Sequence, residues 1–555
     1  MSVNVIAYDV GTTGIKTCLF EISDKITLID SAMEEYDLYI MENGGAEQDP
    51  NQWWQAMCCT TSRVLESSKI PKGSISGISF CAQMQALVLV DDKGEPVRRA
   101  MSYMDNRGEE EMKKGIMHGF RISGLNVSKL LRSIMISGAV SASVKDPIWK
   151  YKWVENNEPE VFSKVYKWLD VKDFLVCKAC DRFVMSEDSA FGTLLYDTRK
   201  DKNGFSKELC KMMGVQFKHL PEICKSTDQV GTITQKAAEE LGLMAGTPVF
   251  SGGGDASLIG VGAGAVSEGE THIYMGTSGW VSTVVKKQRL DINNMIASII
   301  GANPSYFNYF AELETAGKCL EWVKDHLALD EIGVFLDKKQ IWEDPENIYK
   351  SLYDFMMYSI KSVPAGSNGV IFTPWLHGNR CPFEDHNARG MFFNIGIETG
   401  KTEMIHSVAE GICYHLRWQL EAIEKKVKTL PTIRLVGGGA LAPLTCQILA
   451  DVLNREIETV ENPQNVGAVG AAVTIAVGLG ILDDIESSKK FIPCKRKFIP
   501  NQENISIYDQ YFPVFKSLYK SNAKSFRILN QEISGKSSGG NDEYKTPSSM
   551  STGIL

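Results

Sequence analysis

Histidine, paired cysteine spacings and long apolar runs are all scarce in this chain. Its eight histidines in 555 residues show no ligand-like spacing, so no histidine-based metal centre is expected. No apolar stretch approaches the roughly 20 residues that cross a bilayer, so no membrane association is expected. The chain opens directly in a strand-like run, with no basic segment leading into an apolar one, and no secretory leader is expected. The thirteen cysteines are odd in number and scattered. That pattern fits reduced thiols in the cytoplasm better than a disulfide framework. Cys177 and Cys180 form a lone Cys-x-x-Cys with no second pair, a poor zinc site. Positive charge is not in surplus either. The 59 Lys and Arg against 68 Asp and Glu leave a net charge of −9, which argues against a general nucleic-acid binder.

What is present is an ordinary globular composition, 43% hydrophobic and 23% charged. A chain this long exceeds a single core, so two or more domains are expected. Residues 3–8, 17–22, 75–80 and 86–90 read as strands, and 52–67 and 108–115 as helices. Asp49-Pro50-Asn51 supplies a turn and an N-cap for the helix that carries Trp53 and Trp54. A helix ends near Asn157, and a mostly helical region follows to about Gly242. Around Gly246-Thr247-Pro248 the pattern resets. A second series follows, with helices at 317–327, 401–426 and 443–453 and a strand at 433–436. Alternating strands and helices imply α/β layers. The expected organisation is two α/β domains with a cleft between them, residues 1–248 and 249–526. The stretch 527–555, rich in Ser, Gly and Thr over most of its length, is expected to be a disordered tail.

Two short turns carry the functional signal. Tyr8-Asp9-Val10-Gly11-Thr12-Thr13-Gly14, with Lys16 just after, lies between apolar runs at 3–8 and 15–20. Ile273-Tyr274-Met275-Gly276-Thr277-Ser278-Gly279 lies between runs at 272–275 and 280–285. Each reads as a hairpin whose tip offers backbone N–H groups and hydroxyls. Such tips cradle phosphate oxygens, because glycine lets the backbone approach and Thr or Ser adds donors. Two of them, one per half, point to two similar lobes around one polyphosphate.

Carboxylates stand beside these turns. Asp9 next to a phosphate cradle reads as a ligand of hydrated Mg²⁺ or, more plainly, as a turn-capping aspartate. Asp255, after Gly252-Gly253-Gly254, falls where a strand gives way to a helix. It reads as an acceptor for the proton of an attacking hydroxyl or as a simple N-cap. Gly437-Gly438-Gly439-Ala440 reads as an approach for adenine and ribose or as a tight strand–helix turn. Two lookalikes are set aside. Gly396 to Thr402 resembles a Walker A loop one residue too short, and the glycines at 260, 262 and 264 follow a helix start, so helix packing explains them better than a dinucleotide site.

With these segments in this order, from about Val3 to Phe526, the chain resembles the FGGY family of carbohydrate kinases, most closely its xylulokinase branch. Further strings carry the resemblance: Glu47-Gln48-Asp49-Pro50, Gln83-Met84-Gln85, Asp105-Asn106-Arg107, Thr373-Pro374-Trp375-Leu376 and Ala388-Arg389-Gly390. The resemblance implies two domains of the actin/hexokinase-like (ribonuclease H-like) ATPase fold, with ATP and Mg²⁺ in the cleft. It also implies transfer of the γ-phosphoryl group to a hydroxyl of a ketose such as D-xylulose. By position it makes Asp255 the general base and Asp9 the metal carboxylate. Gly11, Thr12, Thr13, Lys16, Gly276, Thr277, Gly317, Gly438 and Gly439 fall on the ATP side, and Met84, Gln85, Asp105 and Asp255 on the sugar side. A homodimer is left open.

The departures from the family pattern gather at the acceptor. Gln85 stands where xylulokinases usually carry His, and Ala256 removes an amide after the glycines. Tyr103-Met104-Asp105 replaces Trp-Asn-Asp, which takes away an aromatic platform. On the adenine side, Pro443 replaces an Asn found in some relatives. A kinase for another pentulose, hexulose or polyol therefore stays open, as does a catalytically silent sugar or nucleotide sensor. An actin- or Hsp70-like ATPase shares the two-lobed fold, but the sugar-kinase strings argue against it.

Overall fold

The computed structural model describes residues 2–122, 124–328 and 352–530. Two sheets organise it. In the first, β1 (Val3–Val10), β2 (Gly14–Ile22) and β3 (Ile26–Glu35) form an antiparallel meander. The chain then passes through α1 (Pro50–Ser68) and returns as β4 (Ile75–Ala82), parallel to β1 on its other side. α1 starts where the sequence signals: the Asp49 side chain accepts from the Asn51 N–H and Pro50 occupies the first turn, where its missing N–H costs nothing. Much later in the chain, β5 (Gln229–Thr232) and β6 (Pro248–Phe250) extend the sheet, and β7 (Gly253–Gly254) pairs with the end of β4. The order is β5-β6-β4-β1-β2-β3.

The second sheet repeats the plan. β8 (Thr271–Met275) and β9 (Gly279–Val285) form a hairpin. β10 (Leu290–Asp291) and β11 (Ile296–Ile300) lie beyond β12 (Phe307–Leu313), which pairs with β9. After α3 (Gly317–His326) and α4 (Lys401–Glu424), β13 (Thr432–Val436) lies parallel to β8. α5 (Pro443–Leu453) leads to β14 (Glu456–Val460), parallel to β13, and β15 (Cys494–Phe498) closes the edge. The order is β10-β11-β12-β9-β8-β13-β14-β15. Without the edge additions, both sheets read third, second, first, fourth, fifth, with three antiparallel strands followed by two parallel ones. This is the two-lobed architecture expected from the paired turns.

α2 (Asp255–Gly262) follows the fifth strand of the first sheet, and α6 (Val466–Gly478) follows that of the second. The two helices pack on each other. A Cβ on Gly262 would stand 1.9 Å from Val466 O, and one on Gly470 would stand 2.2 Å from Leu258 O. Only glycine allows this crossing, which is the helix-packing explanation expected for Gly262; a Cβ on Gly260 would meet His272 instead, and Gly264 is left-handed at φ 71° beside Arg434. α6 is apolar and buried over nearly its whole length, as a helix packed on several sides must be.

One expectation is corrected. A division at residue 248/249 cuts through the first sheet, because β6 and β7 both pair with β4. The glycine-rich reset in the sequence is the end of the first lobe's sheet, and the second lobe's first strand begins at Thr271. At the other end, α7 (Gln502–Asn530) includes residues 527–530, so the start of the expected tail is helical. Residues 531–555 lie outside the described residues.

Candidate active site

The first hairpin tip is a braced turn. Gly11 N donates to Gly14 O at 2.9 Å, and the Tyr36 hydroxyl donates to the carbonyls of both Gly11 and Gly14. Gly11 and Thr12 are half-buried and Thr13 is exposed. Asp9 pairs across the hairpin with Lys16. The Lys16 ammonium donates to Gln464 O at 3.1 Å and Asn465 Oδ1 at 3.0 Å. Lys16 therefore ties the tip to the loop before α6.

Asp9 lies over the start of that helix. A Cβ on Gly467 would meet its carboxylate at 2.6 Å. Burial pushes the Asp9 pKa up, against the Lys16 charge and a hydrogen bond with the Cys81 thiol. A desolvated carboxylate has charge left for a cation to offset. A single carboxylate donor suits Mg²⁺, which keeps much of its hydration shell and takes one or two carboxylates together with substrate phosphates.

The second tip is held from behind. Gly317 N donates to Gly276 O at 2.8 Å, and Ala316 N and Lys318 N both donate to Thr277 O at 3.1 Å. The Thr277 residue itself is exposed. The turn at 437–439 joins this cluster: a Cβ on Gly439 would stand 2.4 Å from Met275 Sδ, while one on Gly438 meets nothing within 4 Å. Gly437 N donates to Pro463 O at 2.7 Å, so the loop at 462–465 links this turn to Lys16. All nine residues expected on the ATP side thus belong to two hairpin tips and the segments stapled to them.

Asp255 opens α2 directly after β7. Asp9, Cys81 and Gly253 are in register across β1, β4 and β7, which puts Gly253, two residues before Asp255, about two strand spacings, or roughly 10 Å, from Asp9. Burial pushes the Asp255 pKa up to about 7. The Ala256 N–H opposes the shift, and the charges of Asp9, Glu312 and Asp170 add to it. Ala256 N donates to Asp255 Oδ1 at 2.7 Å. Asp188, which sequence reasoning missed, holds the turn from below. It accepts from Gly254 N at 2.7 Å and from the hydroxyls of Ser257 and Ser186. Nothing in the string Glu187-Asp188-Ser189 sets it apart from any acidic helix start.

Met84 packs on this turn, where a Cβ on Gly254 would stand 2.1 Å from its sulfur. Gln85 is left-handed, at φ 64°. Its peptide is gripped from both sides: Asp170 accepts from Gln85 N at 2.9 Å and Ala86 N at 3.1 Å, and Lys150 donates to Gln85 O at 2.9 Å. Burial lowers the Lys150 pKa to about 8 and raises that of Asp170 to about 7. Neither residue was singled out from sequence, because their roles depend on contacts 65 to 85 residues away.

Asp105 departs from expectation. It has 0% exposure, and its carboxylate accepts from Ala46 N at 2.9 Å and pairs with Arg107 at 2.6 Å. Arg107 pairs in turn with Glu47. With its lone pairs taken and no open surface, Asp105 anchors Arg107 behind the pocket rather than lining it. Tyr103 is the exposed member of this segment, at 36%. Its hydroxyl is 3.3 Å from Thr12 Oγ1, and the charge of Asp255 acts on it. An aromatic ring is therefore retained here. An amide also reaches the Ala256 corner, but it comes from Asn308, which donates to Ala256 O at 3.2 Å.

Comparison with known proteins agrees with this geometry. The N-terminal domain of the FGGY family of carbohydrate kinases matches residues 4–262, and the C-terminal domain of that family matches residues 272–479. The chain is 29% identical to a xylulose kinase of Staphylococcus epidermidis, over 93% of this chain and 96% of that one. It is 25% identical to a gluconokinase of Bacillus licheniformis, over 94% and 96% respectively. Its fold superimposes on a ligand-bound xylulose kinase structure from Lactobacillus acidophilus with a TM-score of 0.80, covering 95% of this chain and 99% of that one at 24% identity. Two matched domains, two lobes of one plan and paired phosphate-type turns converge: the chain belongs to the FGGY family of carbohydrate kinases, ATP-dependent enzymes that phosphorylate a sugar hydroxyl.

Proposed function

We propose that this kinase transfers the γ-phosphoryl group of MgATP to a hydroxyl of an uncharged ketose, with D-xylulose as the first candidate. The observation that carries the mechanism is Asp255. Burial raises its pKa to about 7, and it lies two residues beyond Gly253, which is in register with Asp9 across β4. At that pKa it can take a proton near neutral pH and return it to solvent. As the acceptor oxygen bonds to the γ-phosphorus, its proton passes to Asp255 and ADP departs with the bonding electron pair. The turns at 11–14 and 276–279 position the phosphates, Met84 and Gln85 the acceptor, and Asp9 the metal. Magnesium, when bound, offsets charge on the phosphate oxygens. Closure of the lobes excludes water as a rival acceptor.

Charge around the acceptor loop supports an uncharged sugar over an aldonate such as gluconate. Asp9, Glu312 and Asp170 all act on Asp255. The neighbouring cations are engaged: Arg107 with Asp105 and Glu47, Arg380 with Glu312, Lys172 with Asp173, and Lys150 with Gln85 O. An anionic acceptor would meet these carboxylates with most of the neighbouring cations already engaged, leaving Lys145, whose charge acts on Lys150, to answer it.

A coupled ADP-release screen over ketoses, aldoses, polyols and aldonates tests this reading. Turnover with a ketose, and a loss of roughly 10²- to 10⁴-fold in kcat for Asp255→Asn with nucleotide binding retained, is the expected result. Preferred turnover of gluconate would sink the charge argument, and a fully active Asp255→Asn would remove the assigned base. Tight sugar binding without turnover across the whole panel would favour a sensor, the reading motivated by Gln85 and Ala256.

A further inference from the structure

Between the phosphate turn and the acceptor loop runs a short chain of side-chain amides that the reaction itself does not use. Gln83 Nε2 donates to Gln48 Oε1 at 2.9 Å, and Gln48 Nε2 donates to Thr12 O at 2.6 Å. Both glutamines are buried, at 5% and 0% exposure. Gln83 sits between the two key aspartates. Its own N–H donates to Val10 O at 2.9 Å, and the preceding residue, Ala82, is in register with both Val10 and Gly254. The residue after it is Met84, which packs on Gly254. Gln48 is rooted in the strand Ala46–Gln48, just before the N-cap of α1.

The direction of this chain is fixed by chemistry. A backbone carbonyl only accepts, so Gln48 must turn its NH₂ to Thr12 and its carbonyl to Gln83, and Gln83 must then present its own NH₂. This leaves Gln83 Oε1 buried without a partner, which is costly. Two unbranched apolar side chains of similar length would fill the same space and remove that orphan, while taking from Thr12 O its donor on Gln48. An arrangement that leaves a buried acceptor unpaired while joining the two halves of a reaction site calls for an explanation beyond stability.

We propose that Gln48 and Gln83 form a positioning strut that sets the distance between the phosphate turn at Thr12 and the acceptor loop at Met84-Gln85. The inference rests on the kinase reading above, in which Thr12 holds phosphate and Met84-Gln85 holds the acceptor. Its consequence is geometric: the strut keeps the acceptor oxygen in line with the γ-phosphorus. A displacement of about 1 Å in such an alignment costs up to roughly 100-fold in rate. A misaligned acceptor also lets water compete for the phosphoryl group.

The test uses Gln48→Met, Gln83→Met and the double variant, which keep side-chain volume and remove the polar chain. Each is assayed on the full-length protein with magnesium, ATP and the best ketose from the screen, measuring both ADP and sugar phosphate. The expected result is a kcat lower by about 10- to 100-fold, with KM for either substrate within about threefold. ADP released without sugar phosphate should rise as a share of total ADP, and thermal stability should be unchanged or higher. Because the two residues act in series, the double variant should be no worse than either single one. Unchanged kcat and unchanged hydrolysis share in Gln48→Met would overturn the strut while leaving the kinase reading intact. So would losses that add in the double variant, or activity that merely follows the folded fraction. If the wild-type protein transfers phosphate to no acceptor in the panel, the kinase reading fails and the strut falls with it.

Discussion

A carboxyl group that titrates near neutrality suits proton transfer and burdens the fold, and Asp255 allows both effects to be measured. Its pKa is raised from 3.8 to about 7, so the folded chain holds that proton more tightly than the unfolded chain does. For a raised carboxyl pKa the linkage runs opposite to the usual aspartate case. No penalty exists below about 4, where both states are protonated. The penalty grows between about 4 and 7 and is complete above 7. Asp255→Asn removes the titration and keeps an oxygen for the Ala256 N–H. Its melting temperature relative to wild type should therefore rise between pH 4.5 and pH 8, while its activity is lost. In the wild type, kcat/KM should fall about tenfold per pH unit below roughly 7 and level off above it. An Asn variant that loses ground between pH 4.5 and pH 8 would contradict a desolvated carboxylate. A flat wild-type pH profile down to pH 5 would contradict its use as the base.

Among the elements, α6 joins the two lobes most directly, since its first turn supports Asp9 and its length packs on β1 and β4. Gly467→Ala separates these two roles. Alanine is the better helix former by up to about 1 kcal/mol, but its Cβ would lie 2.6 Å from the Asp9 carboxylate, which must shift. The magnesium concentration for half-maximal activity should rise about tenfold, with no fall in melting temperature. Unchanged magnesium dependence would detach Asp9 from the metal.

The same elements mark what could be read from the chain. β1, β8, α1 and α5 were legible because apolar runs, an N-cap and helix-initiating prolines are local signals, and the paired turns announced the repeated plan. β3 was missed because its run, Ile26–Glu35, alternates half-buried and exposed residues at a sheet edge. β12, β14 and α6 were passed over between stronger signals. At the site, Asp9 and Asp255 were visible beside glycines. Asp188, Asp170 and Lys150 were not, because they act on backbone groups far along the sequence and carry no local pattern. Asp105 was misplaced for a related reason: only the fold shows that Arg107 closes over it.

The two lobes are separate in plan but not in packing. One buried cluster contains Val5, Ala7 and Phe20 of the first sheet, Leu258 and Val261 of α2, most of α6, and Trp280, Val436 and Val460 of the second sheet. Ser79 of β4 and Thr474 of α6 are hydrogen-bonded at 2.8 Å within it. A face of the first sheet is therefore covered by a helix encoded after residue 465. A fragment ending at 248 would also lack β6 and β7. A fragment ending at 262 would keep them and still expose the surface that α6 buries. Burial at about 25 cal/mol per Å² of apolar surface makes such exposure hard to sustain in a soluble fragment. Residues 1–262 alone should thus be insoluble or unfolded by circular dichroism, and the full chain should melt in one transition with matching calorimetric and van't Hoff enthalpies. Two resolved transitions, or a folded fragment 1–262, would mean that each lobe has a sufficient core of its own. If a single transition is found, magnesium nucleotide should raise its midpoint without splitting it, because both lobes bind the ligand through elements anchored in the same shared core.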